Sequence, residues 1–428
     1  MKVLYFHQHF STPQGSTGTR SYEMAKRLID HGHSVTMVCG SGFMAKTGLI
    51  GRPVNGVRQG MVDGIKVIEI NLPYSNYDSL IKRALIFFKY ALKSTTIAWK
   101  ENYDLLFATS TPLTAGIPGI LMRLIKPSKR FVFEVRDLWP ELPKAMGVVK
   151  NHVVLSSMAI LEHVSYAAMH AGIALSPGIR KGMQKGLGMG KKIAMIPNGC
   201  DVEIFKPKTN MQKRLIPILS GISKDNLKCI FTGAHGVANG LDAVLDAAAL
   251  LKAKNRTDIT LIFIGDGKLK PELKKRAFKE GLDNCVFLDP VPKIRLAELL
   301  QQVDVGMMIL DNVPAFYYGT SPNKFFDYIA SGLPVLNNYP GWLKEIITQN
   351  QCGVAVPPGD PEAFAAALIK LADNPGKRKL MGENGRKLAE KQFPRGILAE
   401  QLVLFLETIN QSENFNASLN LDETGSIQ

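Results

Sequence analysis

Two successive series of short apolar strands alternating with helical stretches constrain this chain more than any other feature. "KVLYFHQHF" (2–10) reads as a strand, "RSYEMAKRLIDHG" (20–32) as a helix closed by Gly32, and "HSVTMVCG" (33–40) as the next strand. Together they make a βαβ unit and predict a parallel sheet. "YDLLFATS" (103–110) and "RFVFEVRD" (130–137) add two more strands of the same kind. The pattern restarts with "LKCIFTGAHG" (227–236), "LDAVLDAAALLKAK" (241–254), "ITLIFIGDG" (259–267), "CVFLDPV" (285–291) and "VDVGMMIL" (303–310). The fold class expected is therefore α/β, with two Rossmann-like, doubly wound domains. Between them "IAMIPNGCDVEIFKPK" (193–208) carries a Pro-Asn-Gly turn suited to a hinge. Such sheets bind ligands beyond the carboxyl ends of their strands, so two facing sheets predict an interdomain cleft.

The division expected is an N-terminal domain over 1–195 and a C-terminal domain over 196–390. A helix over 391–410, able to return to the N-terminal domain, and an aperiodic, flexible tail over 411–428 complete the chain. A length of 428 residues agrees with two domains, and 46% hydrophobic with 21% charged residues is the composition of a folded protein.

The net charge of +15 favours anionic partners. The excess is uneven: Lys82, Arg83, Lys89, Lys93, Lys100, Arg123, Lys126, Lys129 and Arg130 face only Glu101 and Asp104 between residues 80 and 130. No zinc spacing or aromatic RNA-binding motif accompanies them, so no nucleic acid is expected. "LIKRALIFFKYALKST" (80–95) mixes these cations with large apolar residues, as a helix at an anionic membrane surface would, and as an ordinary amphipathic domain helix also would. The five cysteines are widely spaced and fit a reduced cytosol. The N-terminal stretch is broken by His7-Gln8-His9, unlike a signal peptide. The most apolar long window, Val153 to Leu175, contains Glu162 and two histidines and reads as a buried helix, with no transmembrane segment expected.

Four loops can carry chemistry. In "STPQGSTGTR" (11–20), Gly15 and Gly18 allow a ligand close to the backbone at a helix start. The spacing is not the dinucleotide fingerprint, and strand two ends in "VCGSG" without a ribose-binding acid, which argues against a nicotinamide cofactor. In "EVRDLWPE" (134–141), Glu134, Arg136, Asp137 and Glu141 crowd a strand end; a carboxylate there can orient or deprotonate a hydroxyl, and Arg136 can hold an anion or pair with Asp137. "FIGDGKLKPEL" (263–273) ends a strand in a turn at Asp266 and Gly267 able to meet a base or phosphate. In "GTSPNKFFDYIASGLPVL" (319–336), Ser321 is placed as N-cap, Pro322 at the first helical position and Gly332 at the end. Lys324 then lies in the first turn, where an unpartnered cation costs roughly 0.3–1 kcal/mol against the helix dipole. A cation at the helix entrance with Asp327 one turn deeper matches a diphosphate followed by a ribose diol; the bland alternative is an ion pair between them on a solvated face.

"IPNGCD" (196–201), "FTGAHGVANGL" (231–241), "FIGDG" (263–267) and "SPNKFFDYIASGLPVL" (321–336), in this order, resemble the retaining glycosyltransferases of family 4, which have the two-domain GT-B fold. With "RDLWPE" the chain is further similar to the bacterial enzymes that build O-antigen and capsule repeat units, including the N-acetyl-L-fucosamine transferases. The resemblance implies a nucleotide-sugar donor in the C-terminal domain, an acceptor largely on the N-terminal one, and no required metal or other cofactor. It implies donor contacts from Gly15, Ser16, Thr17 and Gly18, from Gly233 and His235, from Asp266 and Gly267, and from Asn323, Lys324 and Asp327. Asp327 would take the ribose hydroxyls as the second acid of the family's E-x7-E motif. Two departures stand out: Gly319 occupies the place of the first glutamate, and "GAHGVANG" offers His235 and Asn239 where the family carries an Arg and a Lys for the diphosphate.

The function expected is transfer of a sugar, such as an N-acetylated deoxyhexosamine, from a UDP-sugar to a polyprenyl-diphosphate-linked saccharide. It would take place in the cytoplasm, peripherally on the inner face of the cytoplasmic membrane. Lys324 would stabilise the departing diphosphate, Asp137 is the candidate catalytic carboxylate, and Glu134 and Arg136 stand on the acceptor side. A UDP-sugar 2-epimerase and a non-catalytic nucleotide-sugar-binding protein of a polysaccharide assembly complex are the rival readings, the second motivated by the missing glutamate.

Overall fold

The computed structural model describes residues 1–42, 45–75, 77–185, 190–207 and 217–411. All but the first residue of the expected tail lie outside these. The first sheet has eight strands: β1 (Lys2–Phe6), β2 (Ser34–Gly42), β3 (Val57–Val62), β4 (Ile65–Tyr74), β5 (Leu105–Thr109), β6 (Arg130–Val135), β7 (Ala171–Ala174) and β8 (Lys192–Met195). Their order is β3-β4-β2-β1-β5-β6-β7-β8, parallel except for the β3/β4 hairpin. The second has six parallel strands, β9 (Leu227–Thr232), β10 (Ile259–Ile264), β11 (Cys285–Leu288), β12 (Val305–Met308), β13 (Val335–Asn337) and β14 (Gly353–Ala355), in the order β11-β10-β9-β12-β13-β14.

Successive side chains on a strand point to opposite faces, and both faces of each sheet are covered by helices. In β1, Leu4 and Phe6 enter one apolar cluster while Val3 and Tyr5 enter another. In β10, Ile262 and Ile264 lie on one side, with Leu261 and Phe263 on the other. The apolar runs that the sequence shows are thus central strands buried on both faces. β1 stops at Phe6, and residues 7–10, expected to continue the strand, form a loop at its carboxyl end.

The helix Arg395–Gln411 packs on the N-terminal domain: Leu398, Leu402, Val403 and Leu406 share a cluster with Met24, Ala25 and Leu28 of the helix Arg20–Asp30. Its Glu400 receives Arg27 Nε at 2.7 Å. The chain therefore crosses between the domains twice, at the Pro-Asn-Gly segment and again before Arg395, and the two crossings are bonded to each other through Cys200 N to Phe393 O and Arg395 N to Cys200 O.

The apolar window from Val153 to Leu175 is not one buried helix. It is the helix His152–Ala168 followed by β7, and Val153 and Ile160 are exposed. No described helix is long and apolar enough to cross a membrane. The basic segment forms the helix Leu80–Lys100, which buries Ile86, Tyr90, Ala91, Ser94 and Ala98. Leu80, Ile81, Leu85, Phe88, Leu92 and Trp99 are left exposed beside Lys82, Lys89, Lys93 and Lys100.

Candidate active site in the interdomain cleft

Between the carboxyl ends of the two sheets lies a cavity of about 380 Å³. Gly15, Ser16, Thr17, Gly18 and Thr19 wall it from the N-terminal domain, and Gly233, Asp266, Asn323, Lys324 and Asp327 from the C-terminal one. Gly18 faces the neighbouring helix start so closely that an added Cβ would lie 2.8 Å from Asn323 Nδ2. Close approach of this kind is what the glycine supplies.

The helix carrying Lys324 runs from Asn323 to Ala330, with Pro322 as its cap residue and no side-chain cap. Ser321, expected to cap it, instead accepts a hydrogen bond from the amide of Asn198 in the Pro-Asn-Gly turn, so its hydroxyl joins the domains rather than the helix. Phe325, Phe326 and Ile329 are fully buried and fix the face that Lys324 and Asp327 present to the cavity. The two are not ion-paired. Lys324 Nζ lies 3.2 Å from Asn239 Oδ1 and 3.8 Å above the centre of the Phe231 ring. Burial without a carboxylate holds its pKa down at about 7. Burial also raises Asp327 to about 7, with Arg395 and Lys293 pulling the other way. A cation and an acid that share a wall, neither of them ion-paired among the described residues, leave their charge for whatever enters.

The Gly265-Asp266-Gly267 turn is packed onto the preceding loop: Gly265, at φ +150, sits where a Cβ would meet Gly233 O at 1.8 Å. Lys270 Nζ ties this turn to the end of β11 through Gly265 O, Leu288 O and Asp289 Oδ1. Asp266 reaches across the cleft, accepting a hydrogen bond from Tyr77 Oη at 2.7 Å.

Several expected site residues do not reach the cavity wall. His235 is fully buried among Phe231, Phe263 and Phe287, and burial lowers its pKa to about 4; its role is to support the Asp266 turn, whose carbonyl accepts from His235 N. Gly267 lies behind that same turn, against the His235 backbone. Glu134 is not an acceptor-side group: its carboxylate is fully buried and receives Arg20 Nε, Arg20 Nη2 and Thr109 Oγ1. Arg136 and the half-buried Asp137 follow β6 outside the cavity wall and are not ion-paired to each other. At Gly319, an added Cβ would meet open space.

Lys293 was missed by the sequence reading. It opens the helix Lys293–Leu300, lines the cavity, and bridges the cleft to Thr19 Oγ1 at 3.1 Å and Glu23 Oε1 at 3.7 Å while pairing with Asp201. Arg395, also on the wall, holds the other oxygen of Asp201 at 2.9 Å. The signal for Lys293 was present: "PVPK" places a lysine after proline at a helix start, as "SPNK" does.

Residues 15–199 match the glycosyl transferase 4-like domain, and residues 213–388 match the glycosyl transferases group 1. The chain belongs to the glycosyltransferases. Its two parallel-sheet domains are the GT-B fold, shared with the structure of Anabaena Alr3699/HepE in complex with UDP-glucose at a TM-score of 0.66 and 16% identity, over 95% of this chain and 100% of that one. It is similar to an MMP alpha-(1->4)-mannosyltransferase of Mycolicibacterium hassiacum, 26% identical over 51% of this chain and 48% of the relative. It is also similar to the O-antigen chain mannosyltransferase C of Escherichia coli, 25% identical over 43% of this chain and 47% of the relative. The chain spans about half the length of these curated relatives.

Proposed function

We propose that this glycosyltransferase retains anomeric configuration while moving a sugar, an N-acetylated deoxyhexosamine such as N-acetyl-L-fucosamine, from a UDP donor to a polyprenyl-diphosphate-linked saccharide in O-antigen or capsule assembly. The observation that carries the reading is Lys324, a cation at a helix start with no anion beside it, one turn before Asp327, which is likewise not ion-paired among the described residues. The diphosphate fits against Lys324 and the free amides of that helix, and the ribose hydroxyls against Asp327. Alr3699/HepE, of the same fold, is seen with UDP-glucose, and an O-antigen mannosyltransferase is among the relatives.

In the transfer, the bond from the anomeric carbon to the diphosphate breaks, a bond to the acceptor oxygen forms, and the acceptor hydroxyl passes its proton to an oxygen of the departing diphosphate. Negative charge grows on the departing diphosphate. Lys324 and the helix-start amides face that charge in a preorganised way, and the reading uses no metal. Asp137 and Arg136, off the donor wall, are left to the acceptor. The exposed apolar and basic face of the helix Leu80–Lys100 suits docking on an anionic inner leaflet, at about 1 kcal/mol per basic residue near the surface.

A titration with UDP tests the reading. Lys324→Ala is expected to weaken binding on the order of a hundredfold, as truncation of a buried charge contact does, and Asp327→Ala by about tenfold. UDP binding equally tight in wild type and both variants overturns it.

A further inference from the structure

A second group of polar side chains gathers at the strand ends of the N-terminal domain, outside the donor cavity. His7 and His9 follow β1, Ser110 and Thr111 follow β5, Arg136 follows β6, and Arg83 comes from the first turns of the helix Leu80–Lys100. The His9 ring lies 4.9 Å from that of Tyr74 and 6.3 Å from that of Phe87, which stack on each other at 5.6 Å. Arg83 sits over Tyr74 with its guanidinium carbon 5.6 Å from the ring centre. The Arg136 amide donates to Ser110 Oγ at 2.9 Å, which fixes the start of that loop beside Thr111.

The positive charge of the group is not neutralised by salt bridges: Asp78, which acts on Arg83, is ion-paired to Lys82, and Asp137 beside Arg136 is not ion-paired to it. Among the described residues neither Arg83 nor Arg136 forms an ion pair through its side chain, although Arg20, between the same strands, is fully paired to Glu134. Arg83 Nε, His7 Nδ1, Thr111 Oγ1 and both amide atoms of Gln8 are buried without a hydrogen-bond partner. Burial first, and Arg136 and Arg83 after it, hold the His9 imidazole neutral. Each unsatisfied buried polar group costs about 1–3 kcal/mol. An anion with several acceptor oxygens can take hydrogen bonds from Arg83 Nε and Thr111 Oγ1 and offset the charge of both arginines, and guanidinium forks match phosphate oxygens best.

We propose that Arg83 and Arg136, flanking His9, form an acceptor-side subsite for the diphosphate of a prenyl-linked saccharide, separate from the donor site at Lys324. The inference rests on the reading of a lipid-diphosphate acceptor. It adds which residues recognise that group, and it places the subsite next to the helix whose outer face is apolar and basic, so that a prenyl chain leaves toward the membrane-facing side.

A diphosphate can come from the acceptor lipid or from the donor nucleotide, and the test separates the two. Binding of farnesyl diphosphate and of UDP is measured by calorimetry for wild type, Arg83→Gln, Arg136→Gln and Lys324→Ala, with thermal unfolding as a check on each. Each arginine variant is expected to bind farnesyl diphosphate on the order of tenfold more weakly and UDP as wild type does. Lys324→Ala is expected to do the reverse. Because Arg83 packs on Tyr74, Arg83→Lys serves as a second variant that keeps the charge and loses the fork, with an intermediate loss expected. The inference is overturned if wild type does not bind farnesyl diphosphate, if the arginine variants bind it unchanged, or if only Lys324→Ala abolishes it. Should UDP fail to bind while farnesyl diphosphate still requires the arginines, the donor reading falls and this subsite stands.

Discussion

Arg20 with Glu134 in one domain, and Lys324 with Asp327 in the other, both place opposite charges near the carboxyl end of a parallel sheet. In each the cation belongs to the first turn of a helix. Arg20 is consumed: Glu134 takes two of its hydrogen bonds, and the carbonyls of Ile196 and Pro197 take two more. Those carbonyls belong to the Pro-Asn-Gly crossing, so the pair fastens the hinge to the N-terminal sheet. Lys324 and Asp327 have no such partners and line a cavity. Burial with every bond made is architecture, and burial with bonds withheld is a place for a ligand.

The largest effect expected from breaking this contrast is at Glu134. Glu134→Ala leaves Arg20 buried and uncompensated and should lower the unfolding free energy by about 3–5 kcal/mol in a urea titration. Lys324→Met should change it by less than about 1 kcal/mol, since a desolvated cation is replaced by an apolar side chain of similar length. Equal destabilisation by the two would dissolve the distinction between the regions.

Proton coupling gives the next effect. Lys324 sits at about 7 in the free protein, and a bound diphosphate favours its charged form, so binding takes up a proton above that pH. UDP affinity should fall by up to about tenfold per pH unit as pH rises above 7, where the nucleotide's own phosphate, with a pKa near 6, is already ionised. Lys324→Met should flatten the profile. Asp327 acts on stability instead. Its pKa is raised to about 7, so the folded state holds a proton that the unfolded state has released between about 4 and 7, and stability falls as pH rises through that window. Asp327→Asn should remove that decline from melting curves measured across the range.

The smallest effect belongs to the bridge between domains at Tyr77 and Asp266. Tyr77 is exposed, so Tyr77→Phe should weaken UDP binding by less than about 1 kcal/mol, and a larger loss would make the bridge part of the donor site.

Much of the architecture is legible in the chain because it is written locally. The short continuous apolar runs of β1 and β10 need no distant information to be read as buried strands, and Pro322 with Gly332, the latter at φ +69, bounds a helix by backbone geometry alone. The residues that the sequence misassigned failed for one reason. Ser321 had its hydroxyl taken by Asn198, Glu134 had its charge taken by Arg20, and His235 turned from a glycine-rich loop into an aromatic cluster. Lys293 carried the same helix-start signal as Lys324, yet its meaning depends on Asp201, Glu23 and Thr19 from elsewhere in the chain.

The sequence by itself determined the two Rossmann-like halves, the turn between them, and the glycines and the Lys324–Asp327 pair that wall the cleft. Strand and helix periods, proline and glycine act over a few residues, and a linear reading contains them. Only the tertiary structure decided which charges are spent and which are left open. A side chain's partner is set by packing between segments distant in the chain, and the free energy of a buried charge depends on that partner far more than on its neighbours in the chain.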